Sequence, residues 1–433
     1  MDTETKLQKL SDLFPNCNAE VLLDILIACD GSAKGATKLL AGNQDSENQT
    51  TSEHSSVKTS QSPELSTDKI ITSESNKGAR EDRVSKLPPK RTSEKAKLRN
   101  SLSFLMKARK ISQTGTEKTL TLYTKEEIEL NLPNVRVFKN FLPKEEAASV
   151  LEALERQKML FKAKQFYIAG NLCTSTQKSI FYSNDAHADY DPVYSSSELK
   201  AVKYPPELLR CKGHVDQKVN EVLEEYTKSN DVPEYAITSG WTSDICVGNY
   251  YPDIKSHLDW HSDKLTNIGP MPTIASLTFG STRVFRLRRS FPSNSVIYEV
   301  PLASNTLLVM LPSTQELFKH AVPSLKNSLL KTDGKVGQVR YNLTFRMQYP
   351  EFREDKVFCD RCQNRMILRR LFKGPNVGYY GWLCMSSFKG QNCPGFKFAN
   401  FDKRDGKMAL TSKTKGNATR WLSKSEKELF NVQ

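Results

Sequence analysis

The sequence predicts an α+β chain: a double-sheet β core with helices on one outer face, flanked by a small N-terminal helical bundle and a C-terminal module stapled by metal. Three observations predict it. Strand-like apolar runs recur at short spacing between residues 244 and 347, with helical patterns mainly ahead of them. Leucine-type residues repeat at helical spacing over residues 7–42. Four of the nine cysteines gather between Cys359 and Cys393.

The length of 433 residues allows about three domains. The net charge of +14 suits a nucleic-acid or anionic-membrane partner without choosing between them. No apolar run approaches the roughly 18–20 residues that span a bilayer, and Met1 to Leu13 carries no signal-peptide core, so the chain reads as soluble and intracellular. In a reducing compartment clustered cysteines are metal ligands rather than disulfides, while Cys17, Cys29, Cys173, Cys211 and Cys246 are ordinary thiols.

Residues 1–43 read as three short helices, broken at Pro15-Asn16 and at Asp30-Gly31. Their Leu13-Phe14-Pro15 and Leu39-Leu40 are similar to the Met-Phe-Pro and di-leucine elements of the CUE family, and that resemblance implies ubiquitin binding. The alternative is that they only fill the core of a small bundle. Residues 44–119 are rich in Ser, Thr, Lys, Glu and Gln and nearly empty of aromatics, the composition of a disordered linker. Its basic stretch from Lys86 to Lys110 reads as a nuclear-import address, a phosphate-binding arm or merely solvated charge. A nuclear location is expected, with the cytoplasm as the alternative.

Residues 120–352 form the main domain. Lys144 onward, after Pro143, reads as an amphipathic helix with acids in its first turn. Strands are expected over 244–251, 273–279, 283–287, 296–300, 306–311 and 339–347. Within this region His261-Ser-Asp263 sets an imidazole and a carboxylate on the same side of an extended segment. His257-Leu-Asp259 does the same with equal parity, and spacing alone rejects neither. His320 is the only histidine downstream; two histidines and one carboxylate make the facial triad of non-haem Fe(II) oxygenases.

Four segments, Asn249-Tyr-Tyr251, Leu258-Asp-Trp-His-Ser-Asp263, Ile274-Ala-Ser-Leu-Thr-Phe-Gly280 and Arg340-Tyr-Asn-Leu-Thr-Phe-Arg346, resemble the AlkB family in order and spacing. The resemblance covers residues 135–350. It implies a double-stranded β-helix (jelly-roll) core and an Fe(II)- and 2-oxoglutarate-dependent dioxygenase. Its iron ligands would be His261, Asp263 and His320. Arg340 and Arg346 would pair with the two carboxylates of 2-oxoglutarate, helped by Asn249, Tyr251 and Asn342. Arginine suits that task because its planar fork accepts a carboxylate bidentately, and residues 340, 342, 344 and 346 share one strand face. The implied reaction is oxidative dealkylation of bases in DNA, in single strands, or in RNA, with release of aldehyde, succinate and CO2. The sequence departs from the pattern at Leu265, where base-repairing members carry a second acid. Lys178, Phe181 and Tyr182 fall where the family places its nucleotide-recognition hairpin. A lysine beside aromatics suits a phosphate next to a flipped, stacked base, with buried core as the alternative for the two rings.

In residues 355–405, Cys359, Cys362, Cys384 and Cys393, spaced x2, x21 and x8, suit a closed tetrahedral Zn(II) site. The surrounding Tyr379, Tyr380 and Trp382, and Cys393-Pro-Gly-Phe396, resemble the GRF zinc finger, which implies affinity for single strands, although Tyr379 stands at that finger's arginine position. Residues 406–433 read as a basic tail. Competing readings are a 2-oxoglutarate oxygenase acting on tRNA or protein, and a ubiquitin- and nucleic-acid-binding adaptor with an inactive core.

Overall fold

The computed structural model describes residues 3–14, 22, 26, 33–34, 36–37, 118–168, 171–183, 201–229, 232–292, 294–325, 332–372, 374–386, 393–404 and 407–430. Of the N-terminal bundle these include the helix Thr3–Leu13 and the buried Leu10, Leu22, Leu26 and Ala36. Pro15, Leu39-Leu40 and most of the expected linker lie outside the described residues. No described helix is long and apolar enough to cross a membrane.

The main domain begins one residue earlier than its sequence suggests. Thr119, expected in the linker, opens strand β1 (Thr119–Thr121), which pairs in parallel with a later strand, because an edge partner supplies what the short segment lacks in apolar content. Then follow β2 (Val135–Lys139), β3 (Lys162–Ile168), β4 (Asn171–Ser183), β5 (Ile245–Tyr251), β6 (Leu258–His261), β7 (Ile274–Gly280), β8 (Arg283–Arg289), β9 (Ile297–Leu302), β10 (Thr306–Met310), β11 (Phe318–Val322) and β12 (Arg340–Arg346). They form two sheets. The larger runs β2-β10-β7-β12-β5-β4-β3 and the smaller β1-β9-β8-β11-β6. Strands 5, 7 and 10 are buried along their whole length, so they read as continuous apolar runs, whereas β8 alternates.

Two cores flank the larger sheet. Between the sheets lie Tyr251, Ile274, Leu308, Phe285, Leu287, Val300 and Leu302. On the outer face the helices Lys144–Arg156 and Pro206–Ser229 lay Val150, Leu154, Leu208, Val215, Val219 and Leu223 against Leu277, Leu307, Leu343 and Phe345. Each such side chain contributes ~1.5–3 kcal/mol on burial. The first helix starts after Pro143, carries Glu145 and Glu146 in its opening turn and ends on Arg156, charges that complement its dipole. Gly280, at φ +85, turns β7 toward β8; a Cβ there would sit 2.4 Å from the Val339 carbonyl, so only glycine lets the chain pass this close to the start of β12.

The C-terminal sheet, β13 (Met366–Arg370), β14 (Tyr380–Cys384), β15 (Phe396–Arg404) and β16 (Lys407–Ser412), corrects the expected boundary at 405. The segment taken as a basic tail supplies β16 and the helix Lys424–Leu429, capped by Ser423 and Glu426. Glu426 also receives both bonds of a buried ion pair from Arg370 Nη2 (3.0 and 2.8 Å), and Arg370 Nη1 donates to the Glu316 carbonyl of the main domain at 2.9 Å. Charge spacing alone gives no sign of this.

Candidate metal and cosubstrate site

Register across the smaller sheet brings the metal donors together. β11 pairs antiparallel with β6 so that His320 lies directly opposite His261. Their rings are 4.2 Å apart, and Phe285 stacks on the far side of His320 at 5.4 Å. Asp263 Oδ1 lies 3.8 Å from His261 Nε2 and 3.9 Å from His320 Nε2. The three donor atoms all fall within 4.8 Å of one another, close enough to share one divalent ion. His261 Nδ1 is 2.7 Å from the Asp259 carbonyl, which can only accept, so Nδ1 carries the proton and Nε2 keeps its lone pair for a metal. The competing pair does not gather a third donor among the described residues. Asp259 points to solvent at 90% side-chain exposure, and His257 bonds to the Lys255 carbonyl and Thr176.

The protonation states suit metal binding. Burial pushes His320 down to about 3, with His261 adding to the effect, and burial likewise lowers His261. Burial works to raise Asp263, but Arg346, His320 and His261 together outweigh it and hold its carboxyl below the usual carboxylate range. Both imidazoles are thus neutral and the carboxylate ionised near pH 7, as ligands must be. The backbone amide of Asp263 donates to Gln315 Oε1 at 2.9 Å, fixing the turn that presents it.

On the larger sheet, β12 sits between β7 and β5 in the register Asn342 opposite Asn249 and Thr278. Arg340, Asn342 and Arg346 therefore share the face that looks into the site, as their alternation predicts. Asn249 Oδ1 accepts from Ser179 Oγ at 2.9 Å, and Asn342 Nδ2 donates to Ser276 Oγ at 2.8 Å. Tyr251 is buried with the Arg340 guanidinium 5.0 Å and that of Arg283 5.7 Å from its ring. The two arginines differ. Arg346 Nε donates to Asp263 Oδ2 at 2.7 Å, so one edge of it orients the metal ligand. Arg340 is 1% exposed; its Nη2 reaches Thr278 Oγ1 at 3.1 Å, while Nε and Nη1 meet no protein acceptor. Buried guanidinium donors without partners are costly, and a carboxylate seated there satisfies them. The residues present therefore fit both an Fe(II) ion and the dicarboxylate 2-oxoglutarate.

Sequence reading missed Arg283, Gln315 and Lys164. Arg283 opens the inward stripe Arg283, Phe285, Leu287 of β8, and a charge at an apolar-parity position was the available signal. Its three bonds go to the carbonyls of Asp253, Ser256 and Pro323, which tie the β6 approach in place. Lys164 on β3 is coupled electrostatically to Asp263, Arg346 and His261; burial first, then Arg346, push its ammonium down to about 8. Its position on an edge strand remote in sequence hid it.

The nucleotide-recognition expectation is corrected at two residues. Phe181 and Tyr182 are 2% and 0% exposed, Tyr182 stacking on Tyr204 and bonding Gln157, because this strand is interior to the larger sheet and both its faces are covered. Neither ring can stack on a base. Lys178 is exposed beside them. Likewise Tyr380 (0%) and Trp382 (2%) are core of the C-terminal sheet, with Trp382 Nε1 bonded to the Leu410 carbonyl. Tyr379 alone of the three is partly open, with Lys415 and Arg420 5.0 and 5.1 Å from its ring. The four sulfurs of Cys359, Cys362, Cys384 and Cys393 converge, with Sγ–Sγ distances of 3.6 Å (Cys359 to Cys393) and 3.3 Å (Cys362 to Cys384). A tetrahedron with Zn–S of about 2.3 Å has an edge near 3.8 Å, so the set fits zinc.

Comparison with known proteins agrees with this geometry. Residues 134–346, just under half of the chain, match the model of the 2OG-Fe(II) oxygenase superfamily. The rat protein named alpha-ketoglutarate-dependent dioxygenase alkB homolog 3 (Rattus norvegicus) is 38% identical over 120 residues, which is 26% of this chain and 38% of that one. Its human counterpart is 37% identical over 120 residues, 26% and 39% of the two chains. The human protein named DNA oxidative demethylase ALKBH2 is 28% identical over 211 residues, 47% and 69% of the two chains. The chain thus spans less than two-fifths of the length of the alkB homolog 3 relatives it matches. Two histidines and an aspartate in register, a buried arginine with open donors and the family match all converge on one stretch: residues 134–346 are a 2OG-Fe(II) oxygenase domain.

Proposed function

We propose that this chain is an Fe(II)- and 2-oxoglutarate-dependent dioxygenase that oxidatively removes alkyl groups from bases of single-stranded DNA or of RNA. One observation carries the enzyme class: the His261, Asp263 and His320 donors stand beside Arg340, whose Nε and Nη1 await an anion. Arg340 would bind one carboxylate of 2-oxoglutarate, Asn249, Tyr251 and Asn342 would line its seat, and Arg346 would hold Asp263 at the angle a metal requires. With iron and 2-oxoglutarate bound, the cofactors supply the activation of O2 that hydroxylates the alkyl carbon, after which the group leaves as an aldehyde. Nucleic acid as substrate is supported by the name of one relative, DNA oxidative demethylase ALKBH2, and by the surplus of 63 Lys and Arg over 49 acids.

The C-terminal sheet would hold zinc through its four cysteines and offer Tyr379, with Lys415 and Arg420, to a single strand. Ubiquitin binding by residues 1–43, with Leu13 exposed at 60%, and a nuclear location belong to the same reading. The test is release of succinate and formaldehyde from a panel of methylated DNA and RNA oligonucleotides, with His261→Ala as control. Turnover by the parent chain alone is expected. Intact 2-oxoglutarate decarboxylation without formaldehyde from any oligonucleotide would sink the nucleic-acid half.

A further inference from the structure

We propose that the C-terminal sheet is part of the iron site: Arg370 of β13, and Thr266, to which β13 is tied, are positioning residues that hold Asp263 and His320 at the spacing a metal requires. The inference rests on His261, Asp263 and His320 being the iron ligands, and it adds to that site a sheet lying outside residues 134–346.

Two of the three donors adjoin very short helices. Asp263 lies past the end of β6, two residues ahead of the helix Leu265–Ile268, and His320 lies on β11, three residues after the helix Thr314–Leu317. A single helical turn is not stable by itself, so each takes its position from what packs on it. β13 is bonded to both. The Leu368 amide donates to Thr266 Oγ1 at 3.1 Å, and Arg370 Nη1 donates to the Glu316 carbonyl at 2.9 Å. Leu265 and Ile268 belong to the same buried apolar cluster as Met366, Leu368, Tyr380 and Trp382. The leucine that stands at 265 in place of an acid thus joins its helix to the C-terminal sheet.

The two turns are also bonded to each other around the donors. The Asp263 amide donates to Gln315 Oε1 at 2.9 Å, the Met271 amide to Glu316 Oε1 at 2.8 Å, and Ser262 Oγ to the Phe318 carbonyl at 3.0 Å. Gln315 and Glu316 are neighbours and both are buried, so a shift of the Glu316 carbonyl moves Gln315 and with it the amide of Asp263. Arg370 is itself fixed from the far side, where its Nη2 donates to Glu426 and to the Trp421 carbonyl. Beyond that pair, Arg289 Nη1 of β8 reaches Ser425 Oγ at 3.2 Å and Phe291 stacks on Phe430 at 5.2 Å, which ties the last helix to the smaller sheet. Metal–ligand distances are exacting to about 0.2 Å. Removing an outer partner that orients a ligand costs about 10–100-fold in metal affinity or activity.

The experiment uses the full chain. Mn(II) affinity by titration calorimetry is the main readout, with melting temperature and the Fe(II) dependence of 2-oxoglutarate turnover beside it. Arg370→Met combined with Glu426→Met replaces a buried ion pair by apolar side chains, a change that folds often tolerate, and removes the bond to the Glu316 carbonyl. It should weaken Mn(II) about ten-fold and raise the Fe(II) needed for half-maximal turnover in proportion, with melting close to that of the parent. Thr266→Val should weaken Mn(II) as well, and Thr266→Ser, which keeps the hydroxyl, should restore it. Glu426→Gln separates positioning from docking: it weakens the ion pair but leaves Arg370 on the Glu316 carbonyl. It should lower the melting temperature while the Mn(II) Kd stays within about two-fold. A Kd unchanged within about two-fold in the Arg370 variant or in Thr266→Val would overturn the proposal. So would an affinity that merely follows melting temperature across the set, Glu426→Gln included. No Mn(II) binding by the parent, or equal binding by His261→Ala, would overturn the iron-ligand reading itself and this proposal with it.

Discussion

Replacing Arg340 by methionine separates binding of the dicarboxylate from stability of the fold. In the unliganded protein Arg340 is fully buried, with Nε and Nη1 unpartnered, one bond to Thr278 and a guanidinium 5.0 Å from Tyr251. Losing the hydrogen bond costs about 1 kcal/mol. Losing the ring contact costs about 1–2 kcal/mol. Relieving two unpartnered donors returns about 1–3 kcal/mol each. The metal- and ligand-free variant should therefore melt within a few degrees of the parent or above it. Binding of 2-oxoglutarate should fall much further, since breaking a buried charge pair costs about 3–5 kcal/mol, a hundred- to a few-thousand-fold in Kd. Thermal melting with Mn(II) in place of iron reads both effects. At 100 times Kd a ligand adds ~2.7 kcal/mol. That raises the parent melting temperature by roughly 5–11 °C at about 2–4 °C per kcal/mol. The variant should show less than about 2 °C at the same concentration. A variant that keeps the ligand shift, or that loses several kcal/mol without ligand, would refute this account of Arg340.

Three further outcomes are expected. His257→Ala should keep 2-oxoglutarate turnover within about two-fold while His261→Ala abolishes it; the reverse would assign the metal to the other pair. Gly395→Ala would set a methyl 2.3 Å from Cys359 Sγ, so it should release zinc to a chromogenic chelator under conditions where the parent holds one equivalent. For pH, the folded His320 sits at about 3, below its ordinary 6.5, so the folded site stays neutral while the unfolded residue takes up a proton. Stability from this group is therefore present above pH 6.5 and is lost as pH falls from 6.5 toward 3. Through the same window metal affinity should hold, with Mn(II) Kd at pH 6 less than the about four-fold weaker than at pH 8 that one ordinary histidine would impose. Titration calorimetry at the two pH values decides it.

Local signals were enough for a good part of the molecule. The runs of β5, β7 and β10 are buried on both faces, so composition alone betrays them. Alternation put Arg340, Asn342 and Arg346 on one face, since period 2 is a property of any strand. The sulfur donors were legible because a pair two residues apart plus two more thiols leaves few other uses.

Contacts between remote segments decided the rest. Two HxD pairs of equal parity were separated by strand register, which sets His320 opposite His261 and leaves Asp259 in water. Phe181, Tyr182, Tyr380 and Trp382 look like stacking residues in sequence, but burial depends on what covers a strand, and no local pattern states that. The tail beyond residue 405 is basic in composition, yet a buried Arg370–Glu426 ion pair, with Nη2 donating to both carboxylate oxygens, and a fourth strand fold it into the module. Lys164 is a further case, a lysine on an edge strand whose electrostatic coupling to Asp263 and His261 arises only in the fold. The sequence by itself therefore determined the strand runs of the core and a short list of candidate donors, because spacing and residue chemistry are local, while the pair that meets His320 was chosen by strand register. The inventory of charges around those donors was decided only by the fold, because electrostatic neighbours are chosen by distance in space.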